Sequence, residues 1–264
     1  MNEVQTWLEG MGFGRYADAF EANEIEPAAA LKDANQAVQD ARAIGHAATL
    51  LYALIITSLT HIWSGTYAAA NAQLDEAISL ADEKSAAYWK ACGMTWQGSL
   101  LAVTGEASSA VQIITGGLTA YRSTRATNFI PLYLSYLTTA YAELGQLDDA
   151  WRCIGEAMTA AETTSETWIE AEVHRTTGEI TLMSPKPEAA NAEAHFERAL
   201  AIARGQQAKS WELRAAMSMA RLWRDQGKRQ QARDLLAPVY GWFTEGFDTP
   251  DLRQAMALLE DLTA

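Results

Sequence analysis

Apolar residues recur along most of the chain at the spacing of an α-helix. In the stretch 145–162, Ala150, Ile154, Ala157 and Ala161 follow one another at intervals of four, three and four residues, which places them on one helix face. The same pattern begins at an alanine in six stretches, at positions 30, 70, 110, 150, 192 and 232. The successive spacings of 40, 40, 40, 42 and 40 residues predict a repeated structural unit.

Other positions recur in register with these alanines. Four residues after the alanine stand Ala34, Leu74, Ile114, Ile154, Phe196 and Leu236. Seven residues after it stand Ala37, Ala77, Gly117, Ala157, Ala199 and Val239. Five residues before it, where a helix would end and the chain would reverse, stand Gly65, Gly105, Gly145 and Gly227. One repeat has a turn, at 184–187, that is two residues longer than the others, and this insertion explains the spacing of 42. When the insertion is left out of the count, small residues stand twelve residues before the alanine, at Ser58, Gly98, Thr138, Gly178 and Ala220.

These columns resemble the tetratricopeptide repeat, in which a small residue, a turn glycine and two inward alanines occupy the same relative positions. The period here is about 40 residues, whereas the family has 34. The resemblance implies an all-α, right-handed α-solenoid of helix pairs. We expect about five complete pairs within residues 27–264, closed by a C-terminal capping helix at 249–262.

Residues 1–26 depart from the repeat pattern. They resemble the first two helices of a sterile-alpha-motif domain at Trp7, Leu8, Gly10, Gly12, Phe13, Tyr16, Phe20, Asn23, Glu24 and Ile25. Because a complete domain of that kind is longer, we expect this truncated segment to act as an N-terminal cap on the exposed apolar end of the array.

Three stretches, 170–183, 196–224 and 237–252, are similar to the C-terminal repeat region of large bacterial signalling proteins. Those proteins join an adenylate or guanylate cyclase domain, an ATPase domain and such an array. The phosphate-binding motif G-x-x-x-x-G-K-[ST] does not occur in this chain, and no stretch has the alternation of a β-sheet. The similarity therefore implies a role in bacterial signalling without the enzymatic activities, and we expect no catalytic residues.

Charge and composition narrow the possible partners. The net charge of −13 argues against binding to nucleic acid, which needs an excess of basic residues. The most apolar run, Ala47–Trp63, is short for a membrane span and carries polar residues, so a buried helix is expected. The first residues lack the pattern of an export signal, and the two cysteines, Cys92 and Cys153, suit a reduced compartment. We therefore expect a cytoplasmic protein that binds neither nucleic acid nor membrane.

Few side chains have the spacing that catalysis or metal binding requires. Glu170 and His174 are four residues apart on one helix and form one edge of a metal site, but no second pair is evident to complete it. Cys92 and Cys153 have no second cysteine nearby in the sequence and are expected to be buried as small apolar residues. We predict no metal ion and no cofactor.

The first helix of each pair lines the concave surface in tetratricopeptide arrays, and its inward positions are the candidate binding groove. The groove is predicted to run from apolar to basic, with candidate partner-binding residues Tyr52, Thr95, Ser99, Ser135, Thr139, Glu172, Arg175, Glu179, Arg214, Arg221 and Arg224. Arginines on one helix face are suited to binding an acidic segment of a partner. The alternative is that they form salt bridges with Glu212 or Asp225.

The sequence thus favours a non-catalytic scaffold that binds a protein or peptide. The alternative is a sensor that binds a small molecule or peptide within the groove, for which the polar middle positions are suitable. The apolar first wall also permits a homo-oligomer.

Overall fold

The computed structural model describes residues 27–263, and in this part of the chain the secondary structure is helical throughout. The predictions for residues 1–26 lie outside the described residues. The helices are α1 (Pro27–Ile44), α2 (Ala47–Trp63), α3 (Tyr67–Glu83), α4 (Ala87–Val103), α5 (Ala107–Ser123), α6 (Ile130–Glu143), α7 (Leu147–Thr164), α8 (Glu170–Met183), α9 (Ala189–Gly205), α10 (Lys209–Asp225), α11 (Arg229–Tyr240) and α12 (Pro250–Thr263). A short 3₁₀ helix, Thr167–Ile169, precedes α8.

The helices form consecutive antiparallel pairs that stack into a solenoid, as predicted. Each first helix (α2, α4, α6, α8, α10) packs on the second helix that follows it and on the first helix of the next pair. Gly65, Gly105, Gly145 and Gly227 adopt φ between +72° and +83° at the turns inside the pairs, where residues with a Cβ are strained. The turn between α8 and α9 is longer, as the insertion at 184–187 predicted.

The recurring small residues and alanines form the contact between the two helices of a pair. From α3 onward the alanine column is fully buried, at Ala70, Ala110, Ala150, Ala192 and Ala232. Gly178 on α8 lies so close to Phe196 on α9 that a Cβ would come within 2.5 Å of the ring. The small residue therefore lets the large apolar residue of the partner helix fill the space between the two backbones.

The first helix departs from the predicted register. Ala30 is only partly buried and Ala37 is exposed, whereas Ala34, Val38 and Ala41 face the core. These three residues have the same four-and-three spacing, so the true inward alanine of α1 is Ala34, which precedes Ala70 by 36 residues. The prediction that Ala30 is the inward alanine was wrong because the first helix is shorter beyond its inward alanine than the later ones. α1 ends ten residues after Ala34, at Ile44, whereas α3 ends thirteen residues after Ala70, at Glu83.

The tail forms α12, which packs on α10 and α11. Pro250, the first residue of α12, lies against Gly65 in the turn between α2 and α3; a Cβ on Gly65 would come within 2.7 Å of the proline ring. The superhelix therefore curves until its last helix touches its first complete pair. Within residues 27–263, none of the helices combines the length and the hydropathy that crossing a membrane requires.

Candidate functional site

The concave side of the superhelix encloses a cavity of about 360 Å³. Its lining comes from the first helices of all five pairs, from Tyr67 at the start of α3, and from α12. Seven of the eleven predicted groove residues line it: Ser135, Thr139, Glu172, Arg175, Glu179, Arg214 and Arg221.

One side of the cavity is apolar and the other is charged. The apolar side is formed by residues of α2, α3, α4 and α6, namely Ile62, Trp63, Tyr67, Ala102, Val103 and Leu132. The charged side is formed by α8, α10 and α12. The sequence predicted a groove that runs from apolar to basic, whereas the lining of this cavity contains four carboxylates and three arginines.

Ion pairs connect the three helices of the charged side. The guanidinium of Arg175 donates two hydrogen bonds to the carboxylate of Glu172, at 2.7 and 2.8 Å, and also pairs with Glu179. These side chains are well covered, with 14% of Arg175 and 10% of Glu172 exposed. Burial acts to lower the pKa of Arg175, but the two carboxylates outweigh it and raise this pKa well above its usual range.

Arg214 on α10 links this cluster to the capping helix. Its Nε donates to Asp251 at 2.6 Å, and its Nη1 lies 3.7 Å from Glu172. Burial acts to lower its pKa, but Asp251 and Glu172 together raise it. The carboxylate of Glu172 therefore lies between two arginines, which hold its pKa below the usual value even though burial acts in the opposite direction. Such a network fixes the positions of its members more firmly than an exposed pair would.

Arg221 differs from the other two arginines of the cavity. Among the described residues, its side chain donates one hydrogen bond, to the amide oxygen of Gln254 at 3.1 Å, and no carboxylate lies within ion-pair distance. Burial lowers its pKa, and the nearby Glu179 only partly offsets this effect. Arg221 is thus a partly desolvated cation held against the cavity by a neutral partner.

Four predicted groove residues lie outside the lining of the cavity. Tyr52 is exposed on the first pair and packs edge-on against Trp89. Thr95 and Ser99 are fully buried, and their hydroxyls donate to backbone carbonyls of their own helix. Because α4 packs closely against α5 and α6, these small polar side chains face neighbouring helices instead of open space.

Arg224 is the fourth of these residues. It pairs with Asp225, as the salt-bridge alternative proposed, and also with Asp261 of α12 at 3.0 Å. Glu212, the other acid considered, instead pairs with Arg204 and Lys209. The arginines of α10 therefore attach the capping helix to the array.

Several residues of the site could not be predicted from the repeat pattern. Asp251, Gln254 and Pro250 come from the tail, and they reach the cavity only because the array curves through its full length. Tyr136, whose hydroxyl accepts a hydrogen bond from the Trp63 indole at 3.3 Å, follows the predicted Ser135 by one position. The groove prediction took fixed positions from each first helix, and these residues of the tail and Tyr136 do not stand at those positions.

The remaining candidate chemistry is structural. Cys92 and Cys153 are buried free thiols, and burial raises the pKa of each to about 11, which disfavours the reactive thiolate. His174 lies against His195 of α9, with 3.3 Å between their Nδ1 atoms. Within residues 27–263, three or more metal-binding side chains do not converge at any point.

Comparisons with known proteins agree with this architecture. Residues 1–36 match the sterile alpha motif (SAM) domain family, so the match covers the resembling N-terminal segment and extends into α1. No curated protein sequence matches the chain significantly. Among solved structures, BtubC (BKLC) from P. vanneervenii is similar with a TM-score of 0.59 and 16% identity, over 86% of this chain and 91% of that chain.

A kinesin light chain-like protein from Podosopora anserina with nearly identical TPR-like repeats is a more distant neighbour. It has a TM-score of 0.48 and 16% identity, over 72% of this chain and 93% of that chain. The fold is a tetratricopeptide-like α-solenoid.

Proposed function

We propose that the chain is a non-catalytic scaffold that binds a protein or peptide partner along the edge of its concave surface. The observation that supports this proposal is a row of large apolar side chains that the fold leaves in solvent. We call it the apolar rim: Trp63, Val103, Leu144 and Met183, each between 39 and 48% exposed.

The apolar rim follows from the repeat. Trp63, Val103 and Met183 are the last residues of α2, α4 and α8, and Leu144 directly follows α6. Trp63, Val103 and Met183 hold equivalent positions of successive pairs, which lie along one edge of a solenoid; in the third pair that position is Glu143, and Leu144 is the next residue. Trp63 and Val103 also line the cavity, so the row borders its mouth. A row of exposed apolar residues is typical of a surface that a partner covers.

The charges of the groove support an apolar contact more than an acidic one. Arg214 and Arg224, which the sequence suggested for an acidic partner, already pair with Asp251 and Asp261. An acidic segment would have to displace α12 to reach them. We therefore assign the partner contact to the apolar rim.

The wider context of the proposal is signalling in the bacterial cytoplasm. It is supported by the similarity of three stretches of the array to the repeat region of bacterial cyclase–ATPase proteins, and by the SAM match at residues 1–36. SAM domains are interaction modules, so we propose that residues 1–26 and the array belong to one binding protein, with the first segment covering the end of the array.

The proposal predicts that polar substitutions on the apolar rim abolish partner binding without unfolding the array. The full chain would be immobilised, exposed to native lysate, and compared with the double variant Leu144→Ser/Met183→Ser. We expect the captured amount of at least one lysate protein to fall at least fivefold with the double variant, because the apolar contact is lost. The thermal unfolding midpoint of the variant should stay within a few degrees of the wild-type value.

The matched control is Met256→Ser, a change at an equally exposed methionine on α12 outside the rim. It should retain the partner at the wild-type level. A set of bound proteins that is the same for all three chains, or no bound protein at all, would contradict the proposal.

A further inference from the structure

The central cavity presents one cation and one anion that the fold leaves without an ionic partner. The cation is Arg221, whose hydrogen bond goes to the neutral Gln254. The anion is Glu143, the last residue of α6, which lines the same cavity and is exposed; among the described residues it makes no side-chain hydrogen bond or ion pair. The other charged side chains of the lining are paired with one another: Arg175 with Glu172 and Glu179, and Arg214 with Asp251.

This charge arrangement selects among possible occupants. A simple anion would satisfy Arg221 but would add negative charge to a lining that already has four carboxylates and three guanidiniums. A simple cation would satisfy Glu143 and leave the desolvated Arg221 unpaired. An occupant with one carboxylate and one ammonium pairs both groups and leaves the total charge unchanged, so electrostatic complementarity favours a zwitterion.

The apolar side of the cavity requires an apolar body on the occupant. Trp63, Val103 and Leu132 line the same cavity as the ion-pair network. The lining as a whole is more polar than apolar, so this apolar contact is small and the charged groups contribute most of the recognition.

The dimensions suit a short molecule. The volume of about 360 Å³ lies at the small end of the range for ligand pockets, and Pro250 against Gly65 closes the superhelix on one side. Glu143 and Arg221 stand on α6 and α10, which flank α8. Neighbouring helix axes lie about 8–10 Å apart, so the axes of α6 and α10 are at most roughly 16–20 Å apart, and the two side chains shorten the gap that an occupant must span. A chain of two or three residues, at about 3.5 Å per residue, is of the length needed to reach both.

We propose that this cavity is a binding site for a small zwitterion with an apolar body, a peptide of two or three apolar residues with free termini. Its carboxylate binds Arg221, its ammonium group binds Glu143, and its apolar side chains pack on Trp63, Val103 and Leu132. This site shares Trp63 and Val103 with the apolar rim at the mouth of the cavity, but it lies inside the superhelix and depends on the charges of Arg221 and Glu143, which the partner contact does not use.

The test is calorimetric titration of the full chain with defined probes. The zwitterionic probes are leucyl-leucine and tri-leucine, and leucine is added as a compound that is too short to reach both charged groups. Leucyl-leucine amide lacks the carboxylate, and N-acetyl-leucyl-leucine lacks the ammonium. We expect at least one zwitterionic probe to bind, and the matching blocked compounds to bind at least tenfold more weakly. Leucine should bind at least tenfold more weakly than the better of the two peptides, and leucine binding as tightly as the peptides would contradict the proposed contacts with both Arg221 and Glu143.

Two variants assign the site. Arg221→Gln and Glu143→Gln should each weaken binding at least tenfold, while their far-ultraviolet circular dichroism stays unchanged. The controls are Arg152→Gln and Glu83→Gln, which remove one charge of each sign at exposed positions away from the cavity. They should bind as the wild type does.

The result that would overturn the inference is the absence of binding by every zwitterionic probe, equal affinity for the blocked compounds, or wild-type affinity in Arg221→Gln. The rim variant Leu144→Ser/Met183→Ser separates this site from the proposed function. It should bind the zwitterion normally even where partner capture is lost.

Discussion

At the scale of single residues, the turn glycines show how one position can carry two different constraints. Gly65 and Gly145 occupy equivalent turns, with φ of +77° and +72°. Around Gly145 no atom lies within 4 Å of where a Cβ would be, whereas at Gly65 the ring of Pro250 is 2.7 Å away. Gly145 is therefore required only for backbone conformation, and Gly65 also for the closure of the superhelix.

Alanine substitutions at these two glycines should therefore have unequal effects. Gly145→Ala should cost about 1–2 kcal/mol of unfolding free energy, from the left-handed conformation alone. Gly65→Ala should cost at least about 1 kcal/mol more, since Pro250 must move and with it α12. Urea unfolding of both variants measures the difference. Equal losses would show that the contact with Pro250 contributes nothing to stability.

The residue patterns also show what the sequence could predict. The small residues facing the second helix, such as Gly98 and Gly178, were identified because their packing partners lie within the same pair and recur at a fixed spacing. Thr95 and Ser99 are predicted to lie in the groove because they stand three residues before and one residue after the small residue Gly98, at positions that line the concave surface in tetratricopeptide arrays. Their burial depends on how closely α4 approaches its neighbours, and this distance is not encoded in the positions of polar and apolar residues along one helix.

At the scale of helices, the main question is what attaches α12 to the array. Besides its apolar residues, α12 offers Asp251, Gln254 and Asp261 to the arginine row of α10, at Arg214, Arg221 and Arg224. The helix itself was predictable from its own pattern. Its pairing with the arginines was not, since nothing in the two patterns sets the angle at which α12 crosses α10.

Loss of one carboxylate in this contact should weaken the attachment measurably. Asp251→Asn removes the charge that pairs with Arg214; because Asp251 is 27% exposed and Arg214 keeps Glu172 nearby, we expect a loss of about 1–2 kcal/mol. Asp225→Asn is the control, at a position 66% exposed, and should change stability by less than about 0.5 kcal/mol. Chemical denaturation of both variants gives the comparison, and a loss no larger than in the control would mean that α12 is held by its apolar face alone.

At the scale of the whole molecule, the fold was predictable and the site only partly so. The all-α solenoid follows from local repetition, because most contacts of each pair are made with its neighbours. The cavity depends on the accumulated rotation of five pairs, which brings α12 to the turn between α2 and α3. Small angles between successive pairs determine this closure, and the repeat columns carry no signal for them. The residues from α6, α8 and α10 could be proposed in advance, whereas those from α12 could not.

The stability of the whole molecule should also depend on pH through the histidine pair between α8 and α9. In the folded chain, burial first, and then the charges of His195 and Arg198, lower the pKa of His174 from 6.5 to about 4. Between these two values the unfolded chain binds more protons at this group, so the unfolding free energy falls as the pH is lowered through this window. His195 and His61 act in the same direction, since burial also lowers the pKa of each.

The decisive comparison is the thermal unfolding midpoint at pH 7 and at pH 5, in wild type and in His174→Gln. The wild type should lose more on acidification than the variant, because the variant lacks the group with the largest shift. The carboxylates Glu172 and Glu212, whose pKa values are lowered, add their own loss only below about pH 4.5 and so lie outside this interval. The exposed His46, changed to Gln, should leave the wild-type dependence unaltered. If the unfolding midpoints of wild type and His174→Gln fall by the same amount on acidification, the pKa of His174 is not lowered in the folded chain.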